Sequence, residues 1–242
     1  MIDRLTQTRI EKYWTKEFGG STDTLLKSGS KVFVRSDNSA AFVFRYYECC
    51  IWHVPQRFAG SLQRSIQTHD GVDQVFTTGF IAAVFGSAAE RILGPCPIAY
   101  CDDTSLRPAE SLPPCRSLTK ADKPAVERLA IDCGPEAWSH GGVELDAQRA
   151  VFGCFAAGRL VSAASYEVWG NAIAHVGVVT APAFRGRGFG KAAATCATAD
   201  ALGRGLVPQW RTLERNVASV RLGQAIGFVP VAAHFLVRLA AA

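Results

Sequence analysis

Apolar and polar positions change their period several times along the chain, and the changes divide it into two parts. Leu5, Ile10, Trp14 and Phe18 fall where one helical face could hold them and predict an amphipathic first helix. Lys31–Arg35 and Ala41–Val54, rich in Val, Phe and Tyr, read as strands. Helices are expected near Phe58–His69 and Val72–Phe85, then a strand at Ile98–Cys101 after a break at Gly94-Pro95. The polar, proline-bearing stretch from Asp102 to Pro114 reads as a linker. It separates an N-terminal α+β part, 1–112, from a C-terminal part, 113–242.

The second part alternates more regularly. Arg116–Leu118 is a short strand, followed by a helix over Ala121–Asp132 with Val126, Leu129 and Ala130 inward and Thr119 as its cap. Val151–Ala156 and Leu160–Val168 are strands joined by Ala157-Gly158-Arg159. Gly170-Asn171 predicts a two-residue hairpin turn into the strand Ala172–Thr180. An alanine-rich helix follows over Lys191–Leu202, then a strand at Val207–Leu213. Val217–Ile226 is a helix ended by Gly227, and Phe228–Leu239 closes the pattern with strands.

Composition narrows the class. The chain has 242 residues, 48% of them hydrophobic and 19% charged, as expected of a folded globular protein. Apolar runs such as Phe80–Phe85 are far shorter than the roughly 20 residues of a membrane span, and the N-terminus opens an amphipathic pattern, not a signal peptide. A cytoplasmic protein with no membrane partner is expected. The eight cysteines are irregularly spaced with no Cys-x-x-Cys pair, which predicts reduced thiols and no metal site. The formal charge is +5, yet Val176–Ala242 alone carries +6. Without a basic run or basic–aromatic interleaving, that excess points to a small phosphorylated ligand and not to nucleic acid.

The segment Arg185-Gly186-Arg187-Gly188-Phe189-Gly190-Lys191 lies where such a ligand would bind. It links a predicted strand to a predicted helix, whose first N–H groups and partial positive charge attract anions. Glycines let the backbone approach phosphate oxygens closely. The segment fits neither the dinucleotide fingerprint, because its third glycine comes one residue early, nor the P-loop, because Arg185 and Ala192 stand where Gly and Ser or Thr are needed.

Arg185-x-x-Gly188-x-Gly190, preceded by Pro182-Ala183-Phe184, resembles the pyrophosphate loop of the GNAT superfamily of acetyl-CoA-dependent N-acetyltransferases. Asn216-x-x-Ser219-x-x-Leu222, followed by Ala225-Ile226-Gly227-Phe228, resembles its second motif. Arg116–Asp122 resembles its opening strand and helix. The resemblance covers about residues 115–242 and implies a mixed, mostly antiparallel α/β fold flanked by helices. It implies acetyl-CoA as cosubstrate and an amine as acceptor. The strand Val176–Thr180 would splay from its neighbour and pair with the pantetheine arm through backbone groups around Val178, Val179 and Thr180. Residues Arg185, Gly186, Arg187, Gly188, Phe189, Gly190 and Lys191 would hold the pyrophosphate, and Asn216 and Ser219 would lie beside the pantetheine and thioester. Residues 1–112 resemble the accessory region of longer members and would wall the acceptor cleft.

The usual acid and base positions are vacant. Gly223 stands where many members place a proton-donating tyrosine, and Ala174 and Arg211 stand where a basic carboxylate is usual. If Gly170-Asn171 is a two-residue turn, Glu167 pairs with Ala174 and puts a carboxylate there. Glu167 is therefore the candidate base. His175 would face the opposite side, Glu214 is a further candidate, and His140 in the glycine-bearing loop Trp138–Gly142 is a candidate for the acceptor site. Two readings stay open: an active N-acetyltransferase, and a non-catalytic acyl-CoA-binding module motivated by these vacancies. The acceptor's identity and the oligomeric state are not legible in the sequence.

Overall fold

A computed structural model of the chain describes residues 1–21, 23–107, 112–145 and 149–240. The middle of the expected linker, 108–111, lies outside the described residues. The elements begin with α1 (Arg4–Glu17), β1 (Gly29–Arg35), β2 (Ala40–Tyr46), β3 (Cys49–Pro55), α2 (Gln56–Gln67), α3 (Val72–Val75), α4 (Thr78–Phe85) and β4 (Ala89–Tyr100). They continue with β5 (Cys115–Ser117), α5 (Lys123–Cys133), α6 (Pro135–Gly141), β6 (Val151–Ala156), β7 (Arg159–Trp169) and β8 (Ile173–Thr180). The last are α7 (Phe189–Gly203), β9 (Val207–Arg211), α8 (Val217–Ile226) and β10 (Val229–Leu239). Two compact units form, each discontinuous in sequence. Unit 1 comprises Met1–Ile10, Tyr100–Trp210 and Ala218–Val229; unit 2 comprises Glu11–Ala99, Arg211–Val217 and Pro230–Ala242.

Unit 2 has the strand order β1-β3-β2-β10-β4. Alternation along β2 sorts its side chains into two layers. Ala41 and Val43 join Trp52, Phe235 and Val237 under α2 and α4, whereas Phe42 and Phe44 meet Trp14 and Phe18 of α1. Ile10, Trp14 and Phe18 are buried as expected, but Leu5 is 73% exposed, because it lies off their face. The single strand expected over Ala41–Val54 is two strands. Tyr47 turns the chain at φ +48, a conformation its residue type does not announce. The strand expected at Ile98–Cys101 is longer and runs through Gly94-Pro95. Glycine at 94 lets β10 lie close, since a Cβ there would sit 2.6 Å from Phe235.

Unit 1 has the order β9-β8-β7-β6-β5. Its strands are antiparallel except where β8 and β9 pair in parallel. On one face Ala163 and Val179 pack with Val126 and Leu129 of α5 and with Trp138 of α6. On the other, α7 lies against β7 and β8 through small buried residues, Ala193, Ala194, Ala197 and Ala201. The Tyr166 hydroxyl donates to Asp200 of α7 at 2.5 Å. Helices thus flank mixed, mostly antiparallel sheets, the α/β class expected from the sequence.

Asp102, 2% exposed, ties the entry of α1 to the loop after β4 within unit 1. Its carboxylate accepts the N–H groups of Asp3, Thr104 and Ser105 at 2.7, 3.0 and 2.8 Å. Burial alone would raise its pKa, but the hydrogen bonds, led by that of Asp3, outweigh burial and hold it at about 2. A carboxyl held low when folded contributes stability above its ordinary value of 3.8, and that stability is lost as pH falls through about 2. Asp102→Asn should therefore melt below the wild type at pH 7, and the gap should close as pH approaches 2. Calorimetric scans across that range check this; a pH-independent gap contradicts it.

Candidate functional site

The carboxyl end of β8 is open on one side. β8 pairs with β7 along its whole length, from Trp169↔Ile173 to Ser162↔Thr180, but with β9 only from Ile173↔Val207 to His175↔Gln209. Ala181 donates its N–H to Val161 at 2.9 Å, so alternate residues Val179 and Gly177 turn their backbone groups toward β7. Val176, Val178 and Thr180 turn theirs to the other edge, beyond the last β9 rung. Val178 and Thr180 are half-buried, and Val179 is buried against α5 and α6.

The chain then turns into α7 through Arg185–Gly188. Gly186 and Gly188 take φ of +73° and +83°, the left-handed region that a side chain strains. Ala192 donates to Gly188 at 2.9 Å and closes the first helical turn. The N–H groups of Phe189, Gly190 and Lys191 precede that turn and have no acceptor within the helix. No acidic residue lies in this turn to offset its partial positive charge. Gly190 brings the turn against β8, since a Cβ there would lie 2.8 Å from Thr180 Oγ1. Thr180 is held by Ser162 Oγ at 2.9 Å, and its carbonyl accepts Arg185 Nε at 3.2 Å. Arg187 lies 5.5 Å over the Phe184 ring, and Phe184 meets Phe189 edge-on. The structure thus brings together Val178, Thr180, Arg185 and Gly186–Lys191, with a cradle of donors suited to a diphosphate.

The second motif lies at α8, whose Leu222 would stand 3.8 Å from a Cβ at Gly190. Asn216, exposed, belongs to unit 2 and donates its N–H to Leu213 at 2.8 Å. Ser219 belongs to unit 1, where its hydroxyl accepts the Trp210 indole N–H at 3.2 Å. Trp210 also explains Gly223. A Cβ at 223 would lie 3.0–3.2 Å from the indole, so the ring of β9 occupies the space a residue-223 side chain would enter. Sequence reading missed Trp210, because only the fold opposes β9 to α8. Arg211 is engaged as a cation: it donates to His234 Nε2 at 2.8 Å. Unit 2 also contains a cavity of about 340 Å³ between Ile92–Pro95 and Leu213–Arg215, on which Glu214 borders.

The expected pairing of Glu167 is corrected. Glu167 lies opposite His175, and Ala174 lies opposite Val168. Gly170 and Asn171 do form a tight turn, both with φ of +55° and closed by Ala172 N–H to Trp169 at 3.0 Å. Ala172, however, gives its carbonyl to Val207 of β9 at 2.9 Å and leaves the β7 ladder. That extra residue moves every pair by one and reverses the expected face. Glu167 therefore shares a face with His175 and Trp169, whose rings stack at 4.5 Å. Its carboxylate stands 3.9 Å from Arg149. It lies five strand positions from Thr180, about 16 Å along β8. The expected loop at Trp138–Gly142 is the helix α6 and the residue that ends it, with His140 exposed.

Comparison with known proteins agrees with this geometry. The family model for GNAT acetyltransferase matches residues 149–234. An acetyltransferase of the GNAT family from Colwellia psychrerythraea superposes with a TM-score of 0.55 at 15% identity, over 99% of this chain and 98% of its own. A GCN5-related N-acetyltransferase from Kribbella flavida gives 0.52 at 14% identity, over 97% and 96%. At these identities the two structures establish a shared fold over nearly the whole chain. No curated protein matches it. Among the described residues no helix is long and apolar enough to cross a membrane, and no three side chains form a metal-binding group.

Proposed function

We propose, from the match of residues 149–234 to the family model for GNAT acetyltransferase, that the chain moves an acetyl group from acetyl-CoA to a primary amine of a small molecule or peptide, by direct attack in a ternary complex. The observation that carries this reading is the open edge of β8 running into a glycine turn at the start of α7. Val178 and Thr180 offer backbone groups to the pantetheine arm, with Val179 anchoring the strand between them. Gly186, Gly188 and Gly190 let the N–H groups of Phe189, Gly190 and Lys191 meet the pyrophosphate, and Arg185 and Arg187 add charge nearby. Asn216 and Ser219 are assigned to the pantetheine and thioester end. When bound, acetyl-CoA supplies an activated acyl thioester. The chain's part is to orient it and to hold hydrogen-bond donors where charge develops. Residues 1–112 are assigned to acceptor choice, and the reduced thiols fit a cytoplasmic setting. Isothermal calorimetry with acetyl-CoA tests the reading: binding heat that the pyrophosphate-bearing portion of the coenzyme competes away is expected, and no heat overturns it.

Glu167 remains the proposed base, acting through its cross-strand partner His175, which occupies the last rung before the β8 edge opens. An alkylammonium of pKa about 10 must lose a proton before attack. Glu167→Gln should lower kcat roughly tenfold to a hundredfold below pH 8. The deficit should shrink toward pH 10, where the free amine already predominates. An unchanged pH–rate profile removes Glu167 from the mechanism.

One observation favours a second reading, a non-catalytic acyl-CoA-binding module: Trp210 fills the place of an acid at 223. Against that, a thiol of pKa about 8.5 leaves readily without full protonation. Thiol release with a panel of amines separates the two, since binding without turnover on any amine favours the module.

A further inference from the structure

Three of the five cysteines of unit 1, Cys115, Cys154 and Cys196, form a group to which acetyl transfer gives no role. Cys115 of β5 and Cys154 of β6 are directly opposed. Leu118 donates its N–H to Val151 at 2.7 Å, which makes that rung hydrogen-bonded. Rungs of an antiparallel ladder alternate, so the pair 115/154, three rungs along, is a non-hydrogen-bonded one. Such pairs bring their Cα atoms to about 4.5 Å, inside the roughly 4.4–6.8 Å span of disulfides. Cys196 lies on α7, which packs on β5 and β6, and the Cys115 thiol interacts with those of both Cys154 and Cys196. Cys115 and Cys196 are half-buried, and Cys154 is fully buried.

Chemistry within the group is unequal. The interaction between Cys115 and Cys154 raises the pKa of the first and lowers that of the second. Burial pushes Cys196 up to about 12. Cys154 Sγ also donates to the carbonyl of Phe189, the first residue of α7, at 3.4 Å.

We propose that Cys115 and Cys154 are an oxidation site that closes a disulfide under a peroxide, with Cys196 as the alternative partner of Cys115. The peroxide transfers one oxygen to the half-buried Cys115 thiol, giving a sulfenic acid and one water. The Cys154 sulfur then attacks that sulfur; the S–S bond forms, the S–O bond breaks, and the hydroxide leaves with the Cys154 proton as a second water. The two thiols together lose two electrons, and the peroxide is reduced. A dithiol reductant reverses the change. Closure also removes the Cys154 S–H donor from the start of α7. Resting on the acetyl-CoA reading, this loosens the turn that holds the pyrophosphate.

The experiment treats the reduced full chain with hydrogen peroxide, blocks remaining thiols and maps peptides by mass spectrometry without reductant. A Cys115–Cys154 cross-link lost on dithiothreitol treatment is expected. In Cys154→Ser the cross-link should move to Cys115–Cys196, and Cys133→Ser should leave it unchanged. Recovery of Cys115 and Cys154 only as blocked thiols, while the equally half-buried Cys133 is oxidised, overturns the site. Calorimetry should show acetyl-CoA binding about threefold weaker in the cross-linked protein; equal affinity overturns the link to α7. Absence of heat in the reduced protein instead overturns the acetyl-CoA reading, while the cross-link is judged by mass alone.

Discussion

Replacing Gly186 and Gly188 together with valine will weaken acetyl-CoA binding about a hundredfold while the chain still folds. Both glycines hold left-handed φ, +73° and +83°, on either side of Arg187. A left-handed backbone costs an L-residue roughly 1–2 kcal/mol, and β-branched residues are genuine outliers there. The two positions together cost about 3 kcal/mol, or roughly a hundredfold in affinity at about 1.4 kcal/mol per tenfold. The turn can escape that strain only by flipping its peptides, which points the first N–H groups of α7 away from the phosphates. Neither side chain would disturb the core: at Gly186 a Cβ meets nothing within 4 Å, and at Gly188 only Pro113 and Leu112 at 3.5–4.0 Å. Calorimetry and a melting curve on the same sample check both halves. Unchanged affinity in a folded double variant would remove the turn from the coenzyme site.

The second large effect is on stability. Gly177→Ala should lower the melting temperature by about 6–12 °C. A Cβ at 177 would sit 2.0 Å from the carbonyl oxygen of Gly141, and one at 141 would sit 2.1 Å from Val179 Cγ1. Two glycines thus let the end of α6 lie directly on β8. The obstacle at 177 is backbone and cannot rotate aside, so α6 must lift and uncover Val179. Overpacking of this kind costs about 3 kcal/mol, and each kcal/mol shifts the melting point of a chain this long by roughly 2–4 °C. Gly60→Ala is the control. It lies within α2 with nothing within 4 Å of its Cβ and should stabilise by about 0.5–1 kcal/mol. Equal melting points for the two variants would mean that the α6–β8 contact is not tight in solution.

These two predictions differ in how early they could be read. The glycine turn was legible because its signals are local: a strand-forming run, alternating glycines and basic residues, then alanines that favour a helix. The fold class was legible for the same reason, since period and turn residues are properties of neighbours along the chain. The family resemblance marked Gly223 as an empty acid position, but its filling by Trp210 required β9 and α8 to meet.

The chain by itself determined most of the elements after Pro114, which turn into α7 could hold an anion, and which cysteines were available. Tertiary structure alone decided the register that set Glu167 against His175, because the competing donor for the Ala172 carbonyl came from β9 and not from the hairpin. It alone decided that residues 1–10 join 100–210 and that 230–242 join 11–99. It alone opposed Cys115 to Cys154. Each of these depends on contacts between residues distant in sequence. Hydrogen-bond alternation and steric exclusion select among pairings that local propensity leaves nearly equal in energy.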